Sequence, residues 1–276
     1  MIKEEGILRV YVAGIRDLSL IDYPRHPCIV IWFQGCNFRC QYCYNYELWE
    51  MRNENLLMID EIVRRIIEVK NIVEACKITG GEPSIQSEAL MSIGEECKKI
   101  KLKFGIDTNG TNPRIIEKLI EGEIVDHIAI DLKAPLNVND YTKIVGIKIE
   151  QKDLENIKRT IKLAFESNLE SVEIRIPIIR SLNNNPDKML NLKNDLLELG
   201  YVKAIEDGKN VSIEVLEVIH ELAANKELRL QKNLTINEIV YLSEAIGLPK
   251  IYIRHRDLGL RMSLSNAKEN IRKIKS

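Results

Sequence analysis

No stretch of this 276-residue chain is apolar for more than six residues in a row, and the longest run is Cys28 to Phe33. A helix that crosses a membrane needs about 20 such residues, so none is expected. An excess of charge is missing too: 40 Lys and Arg stand against 41 Asp and Glu, a formal net charge of −1. That balance gives no electrostatic pull toward nucleic acid or an anionic membrane. The opening residues, MIKEEGILRV, lack the apolar stretch and small-residue cleavage site of a secretion signal. A cytoplasmic protein is therefore expected. Internal repeats, low-complexity tracts and obvious linkers are also absent. At roughly 100–200 residues per domain, one domain over residues 1–276 is the simplest reading, and it is long enough to bury a substantial core.

Cysteine is sparse except in one place. Of the six, Cys36, Cys40 and Cys43 fall within eight residues, the arrangement of a metal or cluster site. Without a secretion signal the thiols stay reduced, so a disulfide framework is not expected. Cys28 and Cys76 begin strand candidates, about 20 and 13 Å from the ends of those strands at about 3.3 Å per residue. Cys97 lies in a helical stretch. All three read as small buried residues rather than as a fourth ligand. Structural zinc usually takes four ligands and iron–sulfur clusters four cysteines. Three thiolates on a four-iron cube leave one iron open to a small chelating molecule. A zinc site completed by His26 or another residue is the competing reading.

Apolar runs alternate with amphipathic stretches along the chain. Strands are predicted at Cys28–Phe33, Cys76–Thr79, Lys103–Asp107, Asp126–Leu132, Ser171–Ile178 and Val211–Val218, with a further short one at Lys250–His255. They are rich in Ile and Val on consecutive positions, as strands buried on both faces are. Ile59, Ile62, Val63, Ile66 and Ile67 mark one helix face, and Leu154, Ile157, Ile161 and Phe165 another. Asn185 before Pro186 predicts a helix start and Gly200 its end. Thr235 to Glu238 reads as a capping box, with Gly247 as the matching stop. The repeated strand–helix pattern implies an α/β fold with parallel strands. Six units are too few for a closed eight-stranded barrel, so an open or partial barrel is expected. Ligand sites in such folds collect at the carboxyl ends of the strands.

The distinctive sequences do follow predicted strands. Cys36-Asn37-Phe38-Arg39-Cys40-Gln41-Tyr42-Cys43 comes after the first, its spacing letting one tight loop aim three sulfurs at a single point. Thr79-Gly80-Gly81-Glu82-Pro83 follows the second. Its two glycines permit close backbone approach, and the Glu82 carboxylate suits a cationic amine; a plain Gly-Gly turn is the alternative. Asp107-Thr108-Asn109-Gly110 follows the third, where Asn-Gly is a common turn but an unpaired Asp107 would face the site. Asp131-Leu132-Lys133 closes the fourth, as a salt-bridged pair or with Lys133 directed at a ligand. Arg175, on the fifth, serves either a ligand carboxylate or an ion pair with Glu173 or another acid. His26, His127, His220 and His255 lack ligand spacing and read as structural. The basic tail after Asn266 reads as a solvated helix.

Cys-x3-Cys-x2-Cys with an aromatic residue before the last cysteine resembles the signature of the radical S-adenosylmethionine (SAM) enzymes, and Gly80-Gly81-Glu82-Pro83 matches the GGEP motif of that superfamily. The resemblance implies a partial (β/α)6 TIM-like barrel as a radical SAM core at about residues 18–218, with a C-terminal extension over about 219–276. It implies one [4Fe-4S] cluster on Cys36, Cys40 and Cys43, with SAM chelating the open iron and Tyr42 near its adenine. An electron from the cluster then cleaves SAM to methionine and a 5′-deoxyadenosyl radical that abstracts hydrogen. SAM contacts are implied at Gly80, Gly81, Glu82, Pro83, Asp107, Thr108, Asp131, Lys133 and Arg175, with no catalytic side chain beyond the cluster.

Within the superfamily, Asp17 to Pro24, Gln34 to Cys40 and Asn45 to Trp49 resemble the activating proteins of anaerobic ribonucleoside-triphosphate reductases, with pyruvate formate-lyase activating enzymes as close relatives. The resemblance runs from about Leu18 to Ile178. It implies a glycyl-radical enzyme as protein substrate and flavodoxin or ferredoxin as electron donor. In some activases the stretch matching Asp107 to Gly110 helps hold a monovalent cation beside SAM. Two features depart from the activases: Tyr44 stands where a His often follows the last cysteine, and Glu214 to Val218 occupies the place of a Leu-Leu-Pro-Tyr-His type segment. Rival readings are a radical SAM enzyme acting on a small molecule or RNA, and a non-catalytic zinc-binding module.

Overall fold

The structure is a computed structural model that describes residues 8–259 and 261–275. The readings of Met1–Ile7 and of Ser276 lie outside the described residues. In chain order the elements are β1 (Arg9–Ser19), β2 (Cys28–Phe33), β3 (Leu56–Met58), α1 (Ile59–Val69), β4 (Ala75–Gly80), α2 (Ser87–Lys99), β5 (Lys103–Thr108), α3 (Pro113–Glu121), β6 (His127–Asp131), α4 (Val138–Val145), α5 (Gln151–Glu166), β7 (Ser171–Ile178), α6 (Pro186–Glu198), α7 (Tyr201–Glu206), β8 (Val211–Glu217), α8 (Ile236–Ile246), β9 (Ile251–Arg254), β10 (Met262–Ser263) and α9 (Leu264–Lys275).

All the strands among the described residues belong to one sheet, ordered β10-β9-β8-β7-β6-β5-β4-β2-β1-β3. From β2 through β9 neighbouring strands in that order run parallel. β1, β3 and β10 pair antiparallel at the margins. The α/β class and the partial TIM-like barrel of parallel strands are thus realised, with β9 and β10 continuing the sheet beyond β8. No described helix is long and apolar enough to cross a membrane.

The two faces of the sheet differ in chemistry. Ile29, Ile31 and Phe33 of β2, with Cys76 and Ile78 of β4, join the large apolar core shared with the helices. Burial of each such aliphatic side chain contributes about 1.5–3 kcal/mol. The opposite positions, Cys28, Val30 and Ala75, form only a small apolar cluster with Tyr23. The rest of that inner face carries charge, beginning with the fully buried Lys77. Alternation along each strand therefore sends one residue to the helices and the next to the barrel interior.

Local signals act as read at two helices. The Asn185 side chain accepts the Lys188 N–H at the start of α6, and Thr235 with Glu238 closes a capping box on α8. On α1, Ile59, Ile62, Ile66 and Val69 are buried, whereas Ile67, expected on that face, is 41% exposed. The contact with the sheet is narrower than the apolar stripe, and Ile67 lies past its edge.

Candidate active site

One cavity of about 310 Å³ opens at the carboxyl ends of the parallel strands. Its wall combines Cys36, Cys40, Cys43 and Tyr42 from the loop after β2, Gly80 and Gly81 after β4, Asp107 and Thr108 of β5, Asp131 and Lys133 at β6, and Arg175 of β7. Four sequence motifs far apart in the chain, together with Arg175, therefore share one volume. Glu82 and Pro83 are buried behind it and are not on the wall. Phe38, Tyr44, Trp49 and the Leu216–Val218 exit of β8 also line it.

The cysteine loop is held by its own backbone and by α4. Gly35 and Cys36 donate N–H groups to the Leu48 and Trp49 carbonyls at 2.7 and 3.1 Å, while Arg39 and Gln41 donate to Val145 and Ile144. The Arg39 guanidinium folds back to the carbonyls of Cys36 (2.6 Å) and Phe38 (2.9 Å) and stacks over Trp49. Tyr44 spans the mouth: its hydroxyl bonds to the Glu217 carbonyl and accepts the Ile219 N–H.

All three loop cysteines are free thiols. Burial pushes Cys36 up to about 11 and Cys40 up to about 12, and it raises Cys43 as well. They line a common cavity. Among the described residues no three His, Cys, Asp or Glu side chains are grouped to hold one metal ion. A zinc ion draws its thiolates to about 2.3 Å from a single centre. In a cubane each cysteine binds a different iron, so three soft thiol donors around one cavity fit the polynuclear group.

The glycine pair serves the protein before any ligand. Gly81 donates to the Phe33 carbonyl at 2.9 Å and Glu82 to Gly35 at 2.8 Å, stitching the β4 exit to the start of the cysteine loop. Gly80 has φ +110°, and a Cβ on Gly81 would lie 2.0 Å from the Gly35 oxygen. Gly81→Ala is accordingly expected to cost about 1–3 kcal/mol through forced backbone displacement. Thermal unfolding of the cluster-free protein should show it, and an unchanged midpoint would refute the close approach.

The Glu82 carboxylate, expected to face an amine, is fully buried and occupied. It accepts from Ser84 N (3.1 Å), Thr108 Oγ1 (2.8 Å) and Asn109 N (2.6 Å). The turn after Gly81 directs it across to the β5 exit instead of into the cavity.

Asp107 faces the cavity, as the strand-end position suggested, but is paired there. Its Oδ1 lies 2.7 Å from Lys77 Nζ and 2.9 Å from Arg175 Nη1. Arg175 also meets Glu173 at 3.1 Å and Glu214 at 3.6 Å. Arg254 and Arg261 close the far side: Arg254 reaches Glu214 at 3.1 Å, and Arg261 reaches Glu173 at 3.3 Å while lying over the Tyr252 ring. Lys133 is bound at 2.8 Å to Asp131 and at 3.1 Å to the Tyr42 hydroxyl. Burial opposes its charge, but Asp131 and Tyr42 hold the ammonium protonated well above the usual lysine range.

Burial also works against Asp107 and Glu173, yet the surrounding cations prevail. Arg175 and Lys77 hold Asp107 below the usual carboxylate range, and Arg175, His127 and Arg261 bring Glu173 down to about 2. Between the ordinary value near 4 and these lower folded values, the unfolded chain binds more protons. This part of the stability is fully present above about pH 5 and lost as pH falls from about 4 toward 2. Thermal midpoints between pH 7 and pH 3 should show the loss, with a shallower acid slope in Asp107→Asn; equal slopes would count against the pairing.

The remaining candidates are structural. Cys28, Cys76 and Cys97 are fully buried. His26 lies between Glu74 and Glu170. His127 contacts Ser171, His220 accepts the Arg180 N–H, and His255 contacts the Leu234 carbonyl. The tail after Asn266 continues α9 through Lys275.

With this geometry, the sequence profile of the radical SAM superfamily matches residues 30–192. The match spans more than half of the chain, which belongs to that superfamily and is an enzyme of its class. A protein of Methanocaldococcus jannaschii, provisionally named a glycyl-radical enzyme activating enzyme, is 33% identical over 181 residues, covering 65% of this chain and 73% of that protein. The pyruvate formate-lyase-activating enzyme of Clostridium pasteurianum is 26% identical over 234 residues, covering 83% of this chain and 90% of the other. A solved radical SAM methyltransferase from Sphaerobacter thermophilus superposes with a TM-score of 0.63 at 16% identity, over 86% of this chain and 68% of its own. That last likeness concerns the fold alone. Membership of the superfamily implies an iron–sulfur cluster and SAM.

Proposed function

We propose that this enzyme generates a glycyl radical on a partner protein, an anaerobic ribonucleotide reductase or a pyruvate formate-lyase-like enzyme. Cys36, Cys40 and Cys43 would hold one [4Fe-4S] cluster, and the rest of the cavity would hold SAM. The observation that carries this reading is the single cavity joining three free thiols to the exits of β4, β5, β6 and β7. The names of the two relatives above support the choice of a glycine Cα–H as the target. When bound, cluster and SAM supply one-electron cleavage of the sulfonium and abstraction of a substrate hydrogen atom.

The chain's own part is to bind, orient and exclude water. The buried carboxylate of Glu82 fixes the β5 exit, and through Asn109 and Asn37 it reaches the cysteine loop itself. The Lys133 ammonium holds the Tyr42 hydroxyl against the wall at the expected adenine end. Arg175 lines the cavity, its guanidinium held by Asp107, Glu173 and Glu214. Electrons would come from flavodoxin or ferredoxin in the cytoplasm, where six unpaired cysteines remain reduced.

Anaerobic reconstitution with iron and sulfide, reduction, and addition of SAM with candidate glycyl-radical proteins test the proposal. An EPR doublet on the partner, together with 5′-deoxyadenosine, is the expected result. 5′-Deoxyadenosine with no doublet on any candidate would move the target to another substrate. One zinc per chain without sulfide would overturn the chemistry altogether.

A further inference from the structure

The resemblance behind the proposed function brings with it a monovalent cation beside SAM, at the stretch Asp107 to Gly110. The structure does not fit that ion. Each carboxylate on the cavity wall that could hold it already has a side-chain cation. Lys77 Nζ and Arg175 Nη1 both lie on Asp107 Oδ1, at 2.7 and 2.9 Å, and Lys133 Nζ lies 2.8 Å from Asp131. The Thr108 hydroxyl donates to Glu82 and accepts the Gly110 N–H.

Lys77 is the unusual member of the group. It is fully buried inside the barrel, beneath the cavity floor rather than on the wall. Its ammonium touches one carboxylate oxygen and one backbone carbonyl, Ile106 O at 3.2 Å. A carboxylate and a carbonyl are the hard oxygen donors that an alkali-metal ion would take. The surrounding charge points the same way. Lys77, Arg175, Arg254 and Arg261 face Asp107, Glu173 and Glu214, four cations against three anions in one connected network. Another cation at Asp107 would meet two like charges already on Oδ1, Lys77 Nζ and Arg175 Nη1.

We infer that Lys77 is a tethered replacement for the monovalent cation: its ammonium neutralises Asp107 from inside the barrel, so this enzyme needs no potassium or sodium to shape its SAM site. The inference rests on the proposed SAM reading for what the site binds, but its first test uses the protein alone.

A cation that binds the folded chain raises the thermal midpoint with concentration. Potassium and sodium are therefore titrated against choline at constant ionic strength, with unfolding as the readout. The wild-type midpoint is expected to be the same in all three salts. A saturable rise specific to potassium or sodium would overturn the inference. Lys77→Met, which leaves Arg175 as the remaining side-chain cation on Asp107, is expected to acquire such a rise, and Lys77→Arg to remain indifferent. A folded Lys77→Met variant with no response would also overturn the inference; should that variant fail to fold, the wild-type titration decides. A second arm measures SAM affinity of the cluster-loaded enzyme in the same salts. The wild type should change less than twofold, and Lys77→Met should lose at least tenfold in choline and recover in potassium. If SAM binds in no salt, the proposed function fails while the unfolding titration still decides the role of Lys77.

Discussion

Cys40→Ala is expected to leave a folded but colourless protein that makes no 5′-deoxyadenosine from SAM under reducing conditions. Cys40 is the most enclosed of the three loop thiols, 7% exposed, and packs into the main core beside the cavity. Removing its sulfur leaves Cys36 and Cys43, and no other cysteine lines the cavity. The loop itself should survive, because Arg39, Gln41 and Cys43 make its closing bonds through backbone and guanidinium atoms that the substitution leaves in place. Loss of one small buried group costs on the order of 1 kcal/mol, a shift of about 2–4 °C in a chain of this size. Cys76→Ala supplies the control: it is fully buried, lies on the helix side of β4, and should keep its iron. Iron and acid-labile sulfide should be near four per chain in the parent and far below that in Cys40→Ala. Parent-like iron and product in Cys40→Ala would remove the cluster from this loop.

The residues that follow strands were the legible part of the site. A parallel sheet gathers its strand exits at one end, so Cys36 to Cys43, Gly80 and Gly81, Asp107 and Asp131 could be grouped without knowing which strands adjoin. β2 and β7 match the sequence reading to the residue, because runs such as Cys28–Phe33 are apolar on both faces. β1 was not read: its pairing with β2 is interrupted between Val12 and Gly14 and again between Arg16 and Ser19, which breaks any period of two. β3 and β10, three and two residues long, exist through their partners rather than through their own composition.

The interior charges were harder to read for a different reason. Lys77 pairs with Asp107 from the adjacent strand, and Arg175 stands beside Glu214 in the β7–β8 register; such pairings appear only once register is known. Parity was the available signal. Lys77 lies two residues before Thr79, Glu173 two before Arg175, and Ser212 two before Glu214, so each shares the inward face with the residue that follows it. Glu82 and Asp107 are both engaged by groups of the protein itself, whereas the sequence shows that a carboxylate sits at a strand exit but not which donors already point at it.

Glu82 shows how far that difference reaches. Glu82→Gln is expected to lower the thermal midpoint of the cluster-free, SAM-free protein by about 5–15 °C, from a cost of about 2–5 kcal/mol. One oxygen accepts from Ser84 N and Thr108 Oγ1 and the other from Asn109 N. A carboxylate accepts at every position, whereas a glutamine amide must aim its NH2 at one of these donors. Either orientation sets N–H against N–H in a fully buried place, at about 1–3 kcal/mol for each group left unpaired. The damage should then travel, because Asn109 donates to Asn37 at 2.8 Å and Asn37 follows Cys36, the first thiol of the loop. Weaker SAM binding, by tenfold or more, would accompany the loss of stability. If Glu82 instead met the SAM amine directly, the substitution would weaken SAM binding and leave the ligand-free midpoint unchanged. Differential scanning calorimetry of the apoprotein separates the two, since only a carboxylate already engaged by the protein can be missed before SAM arrives.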